Sequence, residues 1–201
     1  MKTPEPNHPI HDLGDNVRAQ IDQASSEHPR LFLGPDAEAQ LASKLASDPT
    51  LNHARAHVVS VADALLAMDP IERVKVGRRL LGVSRTCVKR VLALALTYRL
   101  TGDARYADRA QAEMLAAAEF TDWNPSHFLD VAEMTAALAI GYDWLYHELD
   151  ADARTTIRHA IVDKGLETSL EGGWWVVARN NWNQVCHGGL TLGALAVMED
   201  E

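Results

Sequence analysis

With 201 residues, 47% hydrophobic and 23% charged, the chain carries enough apolar material for one well-buried core and is neither a disordered nor a fibrous protein. Its formal net charge of -9 has the wrong sign for a nucleic-acid surface, which needs clustered Lys and Arg to displace counterions from phosphates. The two cysteines, Cys87 and Cys186, lie far apart without zinc-ligand spacing, so free thiols are expected and no metal or cofactor is implied.

The opening "MKTPEPNHPIHDLGDN" lacks the apolar core of a signal peptide, and no run approaches the length of a membrane span. The cytoplasm is therefore the default location, and a membrane is not an expected partner. Residues 1–30 read as an N-terminal arm with a short helix near Val17 to Ala24, and residues 31–201 as one helical domain. Gly34-Pro35 and Asp48-Pro49 have the cap-then-proline arrangement that opens helices. In the second of these, Leu51, Ala54, Val58, Val61 and Leu65 alternate steps of three and four, which places them on one stripe. The next helix differs: Val91 to Leu96 are successive apolar residues, so burial on all sides is expected there.

Gly102 is a C-cap glycine, and Asp103 opens a helix with Ala107, Ala110, Met114 and Ala117 on one side. "HFLDVAEMTAALAIGYDWLY" is again apolar nearly all round. Asp150 opens a helix in which Ile157, Ile161, Leu166 and Leu170 sit among charges, and "LTLGALAVM" is a third apolar run. Residues 72–83 read as a connection, and no segment reads as a sheet strand. Wholly apolar helices thus alternate with half-apolar ones at roughly 40 to 60 residue spacing, the period of helix pairs. A four-helix bundle would make every helix amphipathic. The alternation predicts an all-α, incomplete (α/α) toroid of antiparallel helix pairs, with apolar inner and amphipathic outer helices. The sequence ends within what reads as a helix pair, so a domain truncated at its C-terminal end is expected.

The densest polar stretch is "ARNNWNQVCHGGL", residues 178–190, behind a glycine pair and two adjacent tryptophans. It reads as a long loop entering the last helix near Asn183. Amide side chains beside the free N–H groups of a helix start suit a negatively charged ligand. Asn183 and His187 are one helical turn apart and can face one cavity, with His187 as the first candidate for proton transfer. Asn181, Gln184 and Arg179 are neighbouring donors. Alternatively, Asn181 or Asn183 caps the helix. Among Trp174, Trp175 and Trp182, an indole face can stack on a sugar, and Trp175 and Trp182 are the candidates.

Asp130, Glu133 and Asp143 interrupt an apolar helix, where a carboxylate must be paired or hydrogen-bonded. They serve either as structural acceptors, the preferred reading, or as the acid/base pair of a glycoside hydrolase. His127, where "WNPSH" enters that helix, is a further binding candidate. His53 and His57 have metal-pair spacing but no third ligand and read as surface residues; Tyr142 and Tyr146 read as packing residues.

In order and character, "HPRLFLG", "YRLTGDARYADRA", "HFLDVAEMTAALAIGYDWLY" and "NNWNQVCHGG" resemble the N-terminal α/α toroid of heparinase II/III-like polysaccharide lyases, including oligoalginate lyases. The resemblance runs from about residue 28 to the end. It implies β-elimination on a uronic-acid polysaccharide or oligosaccharide, with Asn183 and His187 at positions like the family's Asn/His group. Cys186 stands where some members place the Asn of an adjacent Asn-His pair. The resemblance also implies a proton-transferring Tyr and a C-terminal β-sandwich domain beyond Glu201. A glycoside hydrolase and a non-catalytic saccharide-binding module are the alternatives.

Overall fold

The computed structural model describes Ala19 and residues 27–198, so the expected short helix near Val17 to Ala24 lies, apart from Ala19, outside the described residues. These residues are all-α, with seven helices and no strand. They are α1 (Pro35–Ser47), α2 (Pro49–Leu65), α3 (Leu81–Thr101), α4 (Ala104–Ala118), α5 (Leu129–Leu145), α6 (Ala151–Ala160) and α7 (Asn181–Val197). A π-helical stretch, Ile161–Glu167, and a final turn, Thr168–Leu170, prolong α6.

Local sequence sets most boundaries. Asp48 accepts from the Thr50 and Leu51 N–H groups, Asp103 from Arg105 N–H and Asp150 from Ala153 N–H, each satisfying donors that a helix start leaves over. Gly102 ends α3 with φ 71°, a left-handed backbone that a side chain resists. The π-helical stretch falls where the apolar spacing on α6 changes. Ile157 and Ile161 are four apart, but Leu166 follows after five, and a wider turn returns it to the core side. Leu170, expected on the same stripe, is 84% exposed, because the helix ends there before crossing any partner.

At the centre lies α5, whose residues are buried except for Glu133 and Ala136. It runs parallel to α3: Leu80 N–H bonds Asp130, Ser84 bonds Glu133, and a Cβ on Gly141 would lie 2.5 Å from Val91. It also runs parallel to α7. His127 meets Trp182, a Cβ on Gly189 would collide with the Ala132 carbonyl, and one on Gly193 would lie 2.5 Å from Thr135. Gly189 and Gly193 therefore let the two backbones approach closely. The intervening helices fold back across them: α4 presses Met114 on Gly141, and the π-helical stretch seats Gly165 on Thr135.

Burial is less symmetrical than the hydrophobic runs imply. On α3, Leu92, Ala93 and Leu96 stay half-buried, correcting the expectation of burial on all sides, because α5 covers only one face. On α7, Thr191 and Ala194 are exposed, and Leu192 and Leu195 half-buried, for the same reason. The amphipathic α4 behaves as its stripe requires, with Ala107, Ala110, Met114 and Ala117 all buried. It also buries Glu113, which accepts from Ile71 N–H, Arg90 and Arg109.

The segment before α1 is anchored to the core. Asp143, fully buried in α5, accepts from Arg30 N–H, from Leu31 N–H at 2.8 Å and from His28 Nδ1 at 2.7 Å. Tyr146 stacks on the His28 ring at 4.0 Å, and Trp144 donates to the Leu31 carbonyl. Residues 28–30, read from sequence as part of an arm, thus lie against α5. The connection expected over residues 72–83 ends at Leu80, because α3 already begins at Leu81, and it contains an isolated bridge between Val76 and Arg79, closed over Gly77 at φ 60°.

Candidate functional site

Because α3, α5 and α7 are parallel, their N-terminal ends lie at one end of the molecule. The polar stretch of residues 178–190 is at that end. Gly172 and Gly173, both at positive φ, lead out of α6 into a tight turn, Trp174–Val177, and α7 begins at Asn181. The cap is Asn180, whose side chain accepts from Trp182 N–H, and this corrects the assignment of that role to Asn181 or Asn183. Asn180 is the residue with extended backbone immediately before the helix, which is where a cap must stand.

Asn183 and His187 do share a face. The Asn183 side-chain amide donates to the Val176 carbonyl at 2.6 Å, and His187 Nε2 approaches the same oxygen at 3.4 Å. A carbonyl only accepts, so Nε2 is the donor in that contact, and the tautomer that makes it carries its lone pair on Nδ1. His187 is exposed and Asn183 half-buried. Asn181, Gln184 and Arg179 are exposed around them.

The indoles sort themselves by packing. Trp175, a candidate stacking platform, is only 4% exposed: Phe128 stacks on it at 4.4 Å and His187 meets it edge-on at 5.2 Å. It is a floor beneath the imidazole and has no face left for a sugar. Trp182 is half-buried between Trp174 and His127. Trp174, at 58% exposure, is the indole that presents a face to solvent, and the sequence reading missed it because adjacent tryptophans carry no mark of which one turns inward.

His127 is buried, and its Nδ1 lies 2.9 Å from Asp130 Oδ1. The other oxygen of Asp130 accepts from Leu80 N–H and from the Asn124 amide, both at 2.7 Å. All three partners are donors, so Asp130 acts as an acceptor carboxylate and holds His127 with its proton on Nδ1. The i, i+3 spacing of His127 and Asp130 is the signal from which the sequence reading, which left the two unpaired, could have found this contact. Trp182 packs edge-on against the His127 ring at 4.8 Å and joins the pair to the α7 face.

The remaining carboxylates are structural acceptors. Asp143 holds the segment before α1, and Glu133 accepts from Ser84 and pairs with Arg85 at 3.4 Å. Asp143 is at the opposite end of α5 from Asp130, so those two cannot flank one glycosidic bond. Cys87 and Cys186 are free and buried; burial pushes the Cys186 thiol up to about 11, which keeps it protonated and unreactive at neutral pH. His53 and His57 are exposed on α2, and among the described residues no three His, Cys, Asp or Glu side chains are grouped to hold a metal. No helix of the described residues is long and apolar enough to cross a membrane.

The chain matches no protein-family model and no curated protein.

Proposed function

We propose that the chain is the helical part of a polysaccharide lyase that cleaves a uronic-acid polymer or oligomer by β-elimination. The observation that carries this reading is the convergence of two side-chain donors, the Asn183 amide and the His187 imidazole, on a single oxygen at the start of α7. That oxygen is the Val176 carbonyl, so in this reading a substrate carboxylate would take over from it as the acceptor of the two donors. Two fixed donors at such a point stabilise the charge that develops on a carboxylate when its neighbouring proton is removed.

In the proposed reaction a base takes the C5 proton, the freed electron pair forms the C4=C5 double bond, and the bond from C4 to the leaving oxygen breaks. That oxygen takes up a proton. His187 is the base candidate on this chain, acting through the Nδ1 lone pair, and Asn183 is the carboxylate donor. Trp174 offers a sugar-stacking face, while Trp182, Asn181, Gln184, Arg179 and His127 border the site. The resemblance to heparinase II/III-like lyases points the same way. Three parallel helices backed by two antiparallel ones are also the arrangement an arc of an (α/α) toroid would have, which supports that finer description of the fold.

The test is an ultraviolet assay for the unsaturated product on alginate, heparin, hyaluronan and pectin oligomers, with reducing ends counted in parallel. Unsaturated product that falls at least about 10²-fold in both His187→Ala and Asn183→Ala is the expected result. New reducing ends without that absorbance would replace the reading with hydrolysis.

A further inference from the structure

The acidic chain has one strongly basic region. Of its 19 Lys and Arg residues, seven fall between Glu72 and Arg90, where Glu72 is the only acidic residue. Three of them, Arg78, Arg79 and Arg85, line a cavity of about 550 Å³ together with Val76, Leu81 and Gly82. Arg78 and Arg79 are exposed, and no carboxylate pairs with either side chain among the described residues. Arg85 is 66% exposed, with Glu133 at 3.4 Å from its Nε, which leaves most of its guanidinium donors to solvent. Like charges crowd together at a cost, and here Glu133 beside Arg85 offsets only part of it, since neither Arg78 nor Arg79 has a carboxylate partner among the described residues.

The turn that carries the arginines is held rigidly. Val76 and Arg79 pair through their backbones, the Arg78 carbonyl accepts from the Asn124 amide at 2.9 Å, and Leu80 N–H is fixed by Asp130. Those same two residues, Asn124 and Asp130, hold His127, and His127 touches Trp182 on the α7 face. The arginine cavity and the Asn183/His187 face therefore lie at the same end of the molecule, linked beneath the surface through Asn124, Asp130 and His127.

We infer that the Arg78, Arg79 and Arg85 cavity is a subsite for the carboxylate or sulfate groups of an acidic saccharide whose chain continues to the α7 face. This rests on the reading above only in taking the ligand to be an acidic saccharide. Planar guanidinium forks suit such groups because each presents paired N–H donors to a pair of oxygens. The apolar wall, Val76 and Leu81, suits the C–H surface of a sugar ring. A nucleic acid is the less favoured polyanion, because the overall charge of -9 repels a long, densely charged strand.

Calorimetric titration of the full chain with an alginate hexasaccharide, a heparin hexasaccharide and neutral maltohexaose tests the assignment. Arg78→Ser combined with Arg79→Ser removes two exposed side chains and is expected to leave the fold intact, as circular dichroism would check. Affinity for at least one acidic hexasaccharide is expected to fall about tenfold in this double variant, with a shallower salt dependence. A control pair, Lys44→Ser with Arg55→Ser, removes equal charge from α1 and α2 and is expected to change affinity less than twofold. The inference is overturned if neither acidic oligomer binds, if the neutral one binds as well, if both double variants weaken binding equally, or if a single-stranded oligonucleotide binds more tightly. Binding that depends on these arginines without any unsaturated product would keep the subsite and remove the elimination chemistry.

Discussion

Replacing Asp130 isolates the connection between stability and the site. Its carboxylate is fully buried and accepts from Leu80 N–H, Asn124 and His127. In Asp130→Ala these three donors lose their acceptor, and each buried donor left unpaired costs about 1–3 kcal/mol, for a total of about 3–6 kcal/mol after local relaxation. Against the ~5–15 kcal/mol that holds a typical domain together, this is a large fraction. Asp130→Asn is milder and more informative. An asparagine that keeps its oxygen toward Leu80 and Asn124 must turn its NH2 toward His127, so the imidazole has to accept on Nδ1 and moves its proton to Nε2. The cost is about 1–3 kcal/mol, from the lost charge-assisted bonds. Urea unfolding of both variants gives the energies, and nitrogen-15 shifts of the His127 ring give the tautomer. If Asp130→Ala unfolds within about 1 kcal/mol of the parent, or Asp130→Asn leaves the Nδ1 proton in place, the described network is wrong.

Further outcomes follow from neighbouring geometry. Gly188→Ala and Gly189→Ala separate two adjacent glycines: nothing lies within 4 Å of a Cβ at Gly188, whereas one at Gly189 collides with the Ala132 carbonyl. Thermal melts are expected to show Gly188→Ala neutral or stabilised by up to about 1 kcal/mol, and Gly189→Ala destabilised by about 2 kcal/mol or more. For Cys186, the folded thiol titrates at about 11 against its ordinary value of 9.0, so the unfolded chain releases its proton first. Stability should therefore decline as pH rises from 9.0 towards 11, and comparison of urea midpoints with Cys186→Ala, which lacks that contribution, isolates it. Arg73 and Asp122 give the opposite sign. Burial works against the Asp122 carboxylate, but the Arg73 bond and the Asn124 N–H outweigh it and hold its pKa below the ordinary 3.8. Its small contribution is present above 3.8 and fades as pH falls through the lower folded value, a dependence that Arg73→Met should flatten. Finally, an acidic oligosaccharide should quench tryptophan emission in the parent but not in Trp174→Phe, because Trp174 rather than Trp175 meets solvent.

Helix existence, type and most of the caps were legible in the sequence because they are local. Asp48, Asp103, Asp150 and Gly102 act on backbone groups within three or four residues of themselves, and the stripe on α4 names its own buried face. The all-round apolar pattern of α5 likewise announced the central helix. What residues 178–190 offered was a composition, with its geometry left open. Which asparagine caps, which indole turns inward and which oxygen Asn183 and His187 share depend on how the Trp174–Val177 turn lies against Phe128 and α7. No short-range rule fixes that. The same holds for Asp130 and Asp143: sequence required that each find partners, because a buried carboxylate cannot stay unpaired, but only the parallel packing of α3, α5 and α7 chose Leu80 and Asn124 for one and the segment at His28 for the other. Local hydrogen bonding and periodicity are written into neighbouring residues, whereas a site assembled from three helix ends is decided by where the glycines let those helices meet.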